Sequence, residues 1–217
     1  MSTRKRAGSS ATTRRPLTRE RILRAALDLI DRDGVQGLSM RKLGAELGVE
    51  AMSLYNHVPD KDAVLDGVVE LLWEQAAAKV DDAGRWQSQA RALAAAIRET
   101  AHAHPSAYPL VMTRGVLPQP VFRLGGRLLS SLREGGFGEL APHAMLALAS
   151  HATSQALAEV TWYGQPPPTG EVTDVEQWPL IVGPAAELPR YDVDAAFTLG
   201  LELLIEALEA RLARQQV

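Results

Sequence analysis

The stretch LSMRKLGAELGVEAMSLYNHVPDK, residues 38–61, decides how the N-terminal quarter of the chain folds. Its first half begins at Ser39, a good helix N-cap, and carries apolar residues at the spacing of one helical face. Gly48 follows, and glycine ends many helices because it readily adopts the left-handed conformation. Residues 49–58 predict a second short helix, which Pro59 terminates. Two short helices joined by a tight turn that contains glycine predict a helix-turn-helix.

The second short helix carries side chains of two kinds. Val49, Leu54 and Val58 are apolar and are expected to pack on the preceding helices. The other side chains are expected to face outward, where a short helix can enter a DNA major groove about 12 Å wide. A polar outer face on an ordinary helical bundle would have the same composition. The predicted DNA-binding residues are Arg41, Ala51, Met52, Ser53, Tyr55, Asn56, His57 and Lys61.

Charge is distributed unevenly along the chain. Residues 1–61 hold 12 Lys and Arg against 7 Asp and Glu, which gives +5, whereas the remainder carries −8. A basic end on an acidic body suggests contact with a polyanion, although a solvated basic tail gives the same count. Residues 1–17 are rich in Ser, Thr and Arg without apolar periodicity, so they predict a disordered basic arm. The part of the arm around Arg14 and Arg15 either reaches a minor groove or is simply solvated.

The rest of the pattern is helical, and we find no alternating strand pattern. Residues 18–61 are expected to form a three-helix DNA-binding domain, and residues 62–217 a larger helical regulatory and dimerisation domain, in an all-α fold. A segment with six prolines, residues 164–192, interrupts the pattern as a long loop. The helices predicted besides the helix-turn-helix pair run from Thr18 to Gly34, from Asp60 to Val80, from Trp86 to His104, from Tyr108 to Thr113, from Pro120 to Glu134, from Ala141 to Tyr163, around Val175 to Trp178 within the loop, and from Val193 to Arg214.

Composition excludes several classes of function. The chain has no cysteine, which excludes thiol redox chemistry and cysteine zinc sites and fits a reducing cytoplasm. No secretory signal is present, and no apolar run approaches the roughly 20 residues that span a membrane. Nothing in the sequence indicates a cofactor or a metal.

The segment LSMRKLGAELGVEAMSLYNHVPDKDAVLDGV, residues 38–68, strongly resembles the DNA-binding region of the TetR family of transcriptional regulators, most of all its tetracycline repressor branch. HATSQALAEV and AAFTLGLELLIEALEARL are similar to two C-terminal helices of that branch. The resemblance implies a homodimer that binds double-stranded operator DNA and is released when a small molecule binds. It also implies that the last two long helices of each subunit form a four-helix bundle with those of the partner.

The resemblance implies an effector site as well. His104, His151 and Glu159 match family positions, and Gln155 completes a polar stripe at i, i+4 and i+8. His102 lies about 200° around the helix from His104, so the two histidines do not form a chelating pair. Two polar positions of the branch are Ala77 and Leu93 here, which favours a more apolar effector than tetracycline. The aromatic and methionine residues expected to enclose it are Tyr108, Met112, Phe122, Met145 and Trp178, and the predicted ligand-binding set is His104, Met112, His151, Gln155, Glu159 and Trp178.

Other interpretations fit some of these residues. His104 could be a core histidine, Glu159 a surface acid, and the aromatic residues plain core. A helical enzyme that uses His104, His151 and Glu159 lacks a nucleophile–base arrangement or metal spacing in the sequence. A dimeric DNA-binding scaffold without ligand control would have the same helices.

Overall fold

The computed structural model describes residues 16–80, 84–163 and 192–214. Across these ranges the chain forms nine α-helices and no β-strand, so the predicted all-α class is confirmed. A π-helical turn, Glu159–Tyr163, continues the eighth helix. The helices are α1 (Arg19–Asp33), α2 (Met40–Leu47), α3 (Ala51–Leu54), α4 (Lys61–Ala78), α5 (Trp86–Ala103), α6 (Leu110–Thr113), α7 (Gln119–Glu134), α8 (Ala141–Ala158) and α9 (Val193–Ala213).

The N-terminal helices begin at the caps that the sequence predicts. The side chains of Thr18, Ser39 and Asp60 each accept a hydrogen bond from the backbone N–H three residues later, at 3.2, 3.2 and 2.8 Å. Gly34 and Gly48 follow the ends of α1 and α2 with φ of +72° and +68°. Both termini of α1 and of α2 are therefore set by local sequence.

The second helix of the helix-turn-helix, α3, is shorter than residues 49–58, the predicted range. Val49 donates its backbone N–H to the carbonyl of Gly44 at 2.9 Å, which closes the end of α2. Glu50 is extended, so α3 begins only at Ala51. A tight turn follows Leu54 and leads directly to the cap of α4.

The first hydrophobic core lies among α1, α2, α3 and the first three turns of α4. Gly67 lets α4 approach α1 closely, because a Cβ there would lie 2.4 Å from a methyl group of Leu23. Ala107 and Leu110, from the segment that includes α6, are also buried in this core. The core thus continues beyond residue 61, and the predicted domain limits stay a prediction.

The second core lies among α5, α7, α8 and α9. Trp73, near the end of α4, packs against both cores. α4 therefore takes part in both cores. Polar pairs also tie α5 to α9 along their length. They are Gln87 with Glu209, Arg91 with Glu202, and Arg98 with Asp194.

One apolar stripe of α9 packs on this chain's own second core. Its members are buried or partly buried there, because α8 and α5 cover that side of the helix. A different set of apolar residues faces outward. Leu199 and Leu203 on α9 are 60% and 55% exposed, and Leu146 on α8 is 59% exposed. The stripe that packs inward comprises Phe197, Leu201, Leu204, Leu208 and Leu212.

Candidate DNA-binding surface and effector site

A close contact between backbones sets the angle between α2 and α3. A Cβ at Gly44 would lie 2.9 Å from the carbonyl oxygen of Val49 and 3.2 Å from the nitrogen of Ala51. Only glycine lets the chain pass there without displacement. Leu54 and Val58 are then 0% and 2% exposed, which fixes α3 and the following turn on the first core.

The opposite side of this helix-turn-helix is open to solvent. Met52 is 75% exposed and Tyr55 44% exposed, and Asn56 and His57 are exposed beside them. Arg41 on α2 is also exposed. The other three predicted DNA-binding residues are half-buried, and they are Ala51, Ser53 and Lys61.

Four polar side chains on this surface are unpaired among the described residues. In the part of the chain that the structure describes, the side chains of Arg41, Asn56, His57 and Lys61 make no hydrogen bond or ion pair. Lys42, next to Arg41, is different because its ammonium lies 3.7 Å from Asp33 on α1. The surface therefore presents donors that remain available to a ligand.

His104 lies apart from the other predicted effector residues. Its Nδ1 is 2.6 Å from Oδ2 of Asp31 on α1, and its Nε2 is 2.8 Å from Oε1 of Gln75 on α4. These contacts place its ring at the junction with the DNA-binding helices. The structure does not bring it together with Glu159.

Glu159 is a buried acid with partners that sequence reasoning missed. Its side chain is 1% exposed, so the surface interpretation is wrong. One carboxylate oxygen accepts from Nε of Arg98 and from the ring of His102, both at 2.7 Å. Burial lowers the pKa of Arg98, but its hydrogen bonds to Glu159 and Asp194 outweigh that effect and raise the pKa overall. Arg98 and His102 lie four residues apart on α5, a spacing that would have placed both on one face.

His151 occupies the interface between α8 and α9. Its Nε2 lies 3.1 Å from the carbonyl oxygen of Phe197, to which it can donate. A Cβ at Gly200 would lie 2.4 Å from the His151 ring, so the two helices are close at this point. Gln155 is half-buried and Met112 is 50% exposed, and Trp178 lies outside the described residues.

A small apolar cavity lies where the two cores meet. Its volume is about 10 Å³, about enough for one water molecule. Tyr108 is one of the lining residues, and its hydroxyl is buried without a hydrogen-bond partner in the described part of the chain. Burial raises the pKa of Tyr108, and the neighbouring Thr153 hydroxyl opposes this only in part. The cavity is lined by Leu72, Trp73, Ala76, Ile97, Thr100, Tyr108 and Val111.

Two family models together match most of the chain. Residues 22–68 match the model described as bacterial regulatory proteins, tetR family, and residues 80–212 match the tetracyclin repressor-like C-terminal domain. This chain belongs to the TetR family. The family carries the helix-turn-helix in the same N-terminal region in which α2 and α3 lie.

Curated TetR-family relatives support this assignment over most of the chain. The tetracycline repressor protein class D of Escherichia coli is 31% identical over 205 residues, which is 90% of this chain and 91% of the relative. An HTH-type transcriptional regulator of Saccharopolyspora erythraea is 34% identical over 152 residues, which is 69% of this chain and 64% of that protein.

A solved structure shares the TetR-family fold. Apo ActR from Streptomyces coelicolor is 29% identical, with a TM-score of 0.74 over 93% of this chain and 99% of the ActR chain. The predicted family, fold and ligand-responsive repressor function are confirmed. TetR-family regulators bind operator DNA and small-molecule ligands, and they are dimers. Among the helices that the structure describes, none has the length and apolar character to span a membrane.

Proposed function

We propose that this chain represses transcription by binding operator DNA as a homodimer, and that a small, largely apolar effector releases it. The observation that carries the proposal is the surface of the helix-turn-helix and the start of α4, where the side chains of Arg41, Asn56, His57 and Lys61 have no partner among the described residues. Such a regulator acts in the cytoplasm, on the chromosome, and without catalytic turnover. The names of its relatives, which describe transcriptional regulators, support the same role.

The side chains on this surface are proposed to divide between reading bases and holding phosphates. Asn56 and Arg41 can make bidentate hydrogen bonds to the edges of adenine and guanine, and Met52 can contact a thymine methyl group. Tyr55 and His57 can donate to phosphate oxygens, which fix the register of the protein without reading sequence. Lys61 is the first residue of α4, and its ammonium can pair with a phosphate, while Ala51 and Ser53 complete the predicted contact set.

Two substitutions test this division. An operator would first be selected from a pool of random DNA duplexes, and binding would then be measured at several salt concentrations. Asn56→Ala should cost roughly 1–3 kcal/mol on the selected sequence and relax the preference at one base pair per half-site. Lys61→Ala should weaken binding to all duplexes alike and reduce the salt slope by about one unit per half-site.

Lys42→Ala is the matched control, since Lys42 is a neighbouring lysine engaged with Asp33. It should leave both the sequence preference and the salt slope close to those of the wild type. The reverse result, in which Asn56→Ala keeps the preference and Lys61→Ala removes it, would show that the roles are exchanged.

The homodimer is proposed to form through the outward faces of α8 and α9. Leu146, Leu199 and Leu203 are exposed apolar residues on these two helices. Small residues, Ser150 and Ser154, lie exposed on α8 and permit close packing of a second helix. Burial of such a face against the same face of a second copy would remove this apolar surface from water.

The effector is proposed to bind where the two cores meet, between α4, α5 and α6. Trp73 packs against both cores, and Tyr108, whose buried hydroxyl has no hydrogen-bond partner among the described residues, lines the cavity. A molecule that widened this cavity would move α4 relative to α5. ActR in complex with actinorhodin, a structure 28% identical to this chain, supports a small-molecule site in this fold. Ala77 is half-buried and Leu93 buried, in keeping with an apolar effector.

The predicted ligand residues stay a prediction. A pair of substitutions tests whether the effector binds in the cavity or at those residues. Val111→Phe would fill the cavity, so it should raise the effector concentration for half-release at least about tenfold while operator affinity stays within about twofold. Leu117→Phe makes a similar addition at an exposed site and should change neither value. Should Val111→Phe respond like the wild type while Gln155→Ala loses the response, the effector site lies along α8 instead.

A further inference from the structure

His104 joins three helices at one point. Its side chain is 17% exposed and follows the last residue of α5, where its backbone N–H still bonds to α5 carbonyls. Its ring contacts Asp31 on α1 and Gln75 on α4, at 2.6 and 2.8 Å. Among the described residues, this ring supplies the hydrogen bond that links the end of α5 to α1.

The apolar contacts at the same junction do not fix an angle. Ala107 and Leu110 insert into the first core and hold the two halves of the chain together. Apolar burial is non-directional, however, so it resists separation more than it resists rotation. Hydrogen bonds weaken steeply with angle, so the polar contacts determine orientation. Arg114 supplies such contacts to α4, through Asp62 and Asp66, but it does not reach α1.

The end of α1 that His104 holds is itself tied to the helix-turn-helix. Arg32, the residue after Asp31, lies 3.2 Å from Glu46 on α2. Asp33 lies 3.7 Å from Lys42, also on α2. A change in the position of Asp31 would therefore be carried to α2, and through the close contact at Gly44 to α3.

α5 is also linked, through α9, to the proposed dimer face. Three polar pairs hold α5 against α9. One of them is a bidentate contact, in which two nitrogens of Arg91 donate to the two carboxylate oxygens of Glu202 at 2.7 and 2.5 Å. α9 in turn exposes Leu199 and Leu203. A series of directional contacts thus runs from the dimer face through α5 and His104 to α1 and α2.

We infer that His104 is a positioning residue that sets the spacing of operator half-sites, by fixing the helix-turn-helix relative to α5 through Asp31. The inference rests on the proposed function. In a dimer, the separation of two recognition helices determines how many base pairs lie between the half-sites. Loss of the His104–Asp31 contact lets each DNA-binding part rotate on its apolar contacts. The dimer then tolerates operators whose half-sites are too close or too far apart.

The experiment uses the full-length protein and a selected palindromic operator, with one or two base pairs added to or removed from its centre. The quantity measured is the ratio of the dissociation constants for the altered and the original spacing. His104→Ala should lower this ratio by roughly tenfold, the factor that corresponds to about 1.4 kcal/mol. His102→Ala is the matched control on the same helix, since His102 contacts Glu159 and not α1, and it should leave the ratio unchanged.

Two near-isosteric variants separate the contacts of the ring. The amide nitrogen of asparagine lies close to the position of Nδ1, so His104→Asn can still donate to Asp31 and should keep most of the spacing ratio. The amide nitrogen of glutamine lies near the position of Nε2, so His104→Gln keeps only the contact with Gln75 and should behave like His104→Ala. Asp31→Ala should lower the ratio as His104→Ala does, and the double variant should lower it no further.

The results distinguish failure of the inference about His104 from failure of the proposed function. Circular dichroism and a thermal unfolding curve establish that each variant is folded at the temperature of the binding assay. A ratio that is unchanged in folded His104→Ala and His104→Gln, or one that falls equally in His102→Ala, would overturn the inference. Failure of the wild type to select any palindrome would overturn the proposed function itself.

Discussion

Replacing Arg98 with methionine should lower the free energy of unfolding by about 3 kcal/mol, because it leaves the Glu159 carboxylate buried with one partner fewer. The Glu159 side chain is 1% exposed and that of Arg98 20% exposed. Removal of one member of a buried pair costs about 3–5 kcal/mol. We expect the lower end of this range, because His102 still donates to Glu159. The loss includes the packing of the Arg98 guanidinium over the Phe197 ring, at 4.9 Å.

Arg91→Met provides the comparison on the same pair of helices. Arg91 makes a two-point contact with Glu202, but these side chains are 47% and 33% exposed. Solvent screens such a pair, so the cost should be below about 1 kcal/mol. Urea unfolding at one fixed protomer concentration measures both variants, since the stability of a dimer depends on concentration.

A second substitution distinguishes an unpaired charge from lost packing. Glu159→Gln removes the charge and keeps the shape, so in the Arg98→Met background it should recover a large part of the lost stability. The reasoning about burial would be refuted if Arg98→Met and Arg91→Met cost the same within about 1 kcal/mol, or if Glu159→Gln made the Arg98→Met protein less stable still.

Three further outcomes are expected. Gly44→Ala should lower the free energy of unfolding in urea by about 1–3 kcal/mol, because the added Cβ would lie 2.9 Å from the Val49 carbonyl oxygen. Gly126→Ala is the control: an added Cβ there meets nothing within 4 Å, so the change should be neutral or stabilising. Leu203→Glu should yield monomers in sedimentation velocity at micromolar concentration, while a dimer would place the interface elsewhere. The raised pKa of Tyr108 means that above pH about 10 the unfolded chain loses a proton that the folded chain keeps. The free energy of unfolding should therefore fall as pH rises through 10, and Tyr108→Phe should make this decline shallower.

Local sequence was sufficient to predict where most helices begin and end. Caps such as Ser39 and Asp60 act on the backbone within three residues, so their effect can be read without knowledge of the fold. The predicted start of α3 is wrong for a local reason. Val49 looks like a helical residue by composition, yet its backbone N–H bonds back to the carbonyl of Gly44, because the left-handed Gly48 closes α2 with a Schellman cap.

Long-range contacts explain why the sequence did not predict which side chains meet Glu159. Family resemblance selected His104, and helical periodicity correctly separated it from His102. Neither could show which histidine would meet Glu159, because that depends on how α5 and α8 pack. The structure pairs Glu159 with His102 and Arg98, and it turns His104 toward α1.

Ala107 and Leu110 lie in the regulatory half of the sequence but pack in the core of the DNA-binding helices. A boundary drawn from the helix-turn-helix pattern assigns both residues to the regulatory domain, since they lie far along the chain from α1. The structure buries them in the first core, at 0% and 5% exposure. The segment between α5 and α6 is thus part of the packing that stabilises the DNA-binding helices. A movement of α6 that opened the cavity beside Tyr108 would also withdraw apolar side chains from the first core, so an effector bound at the proposed site would weaken the packing of the DNA-binding helices through these shared core residues.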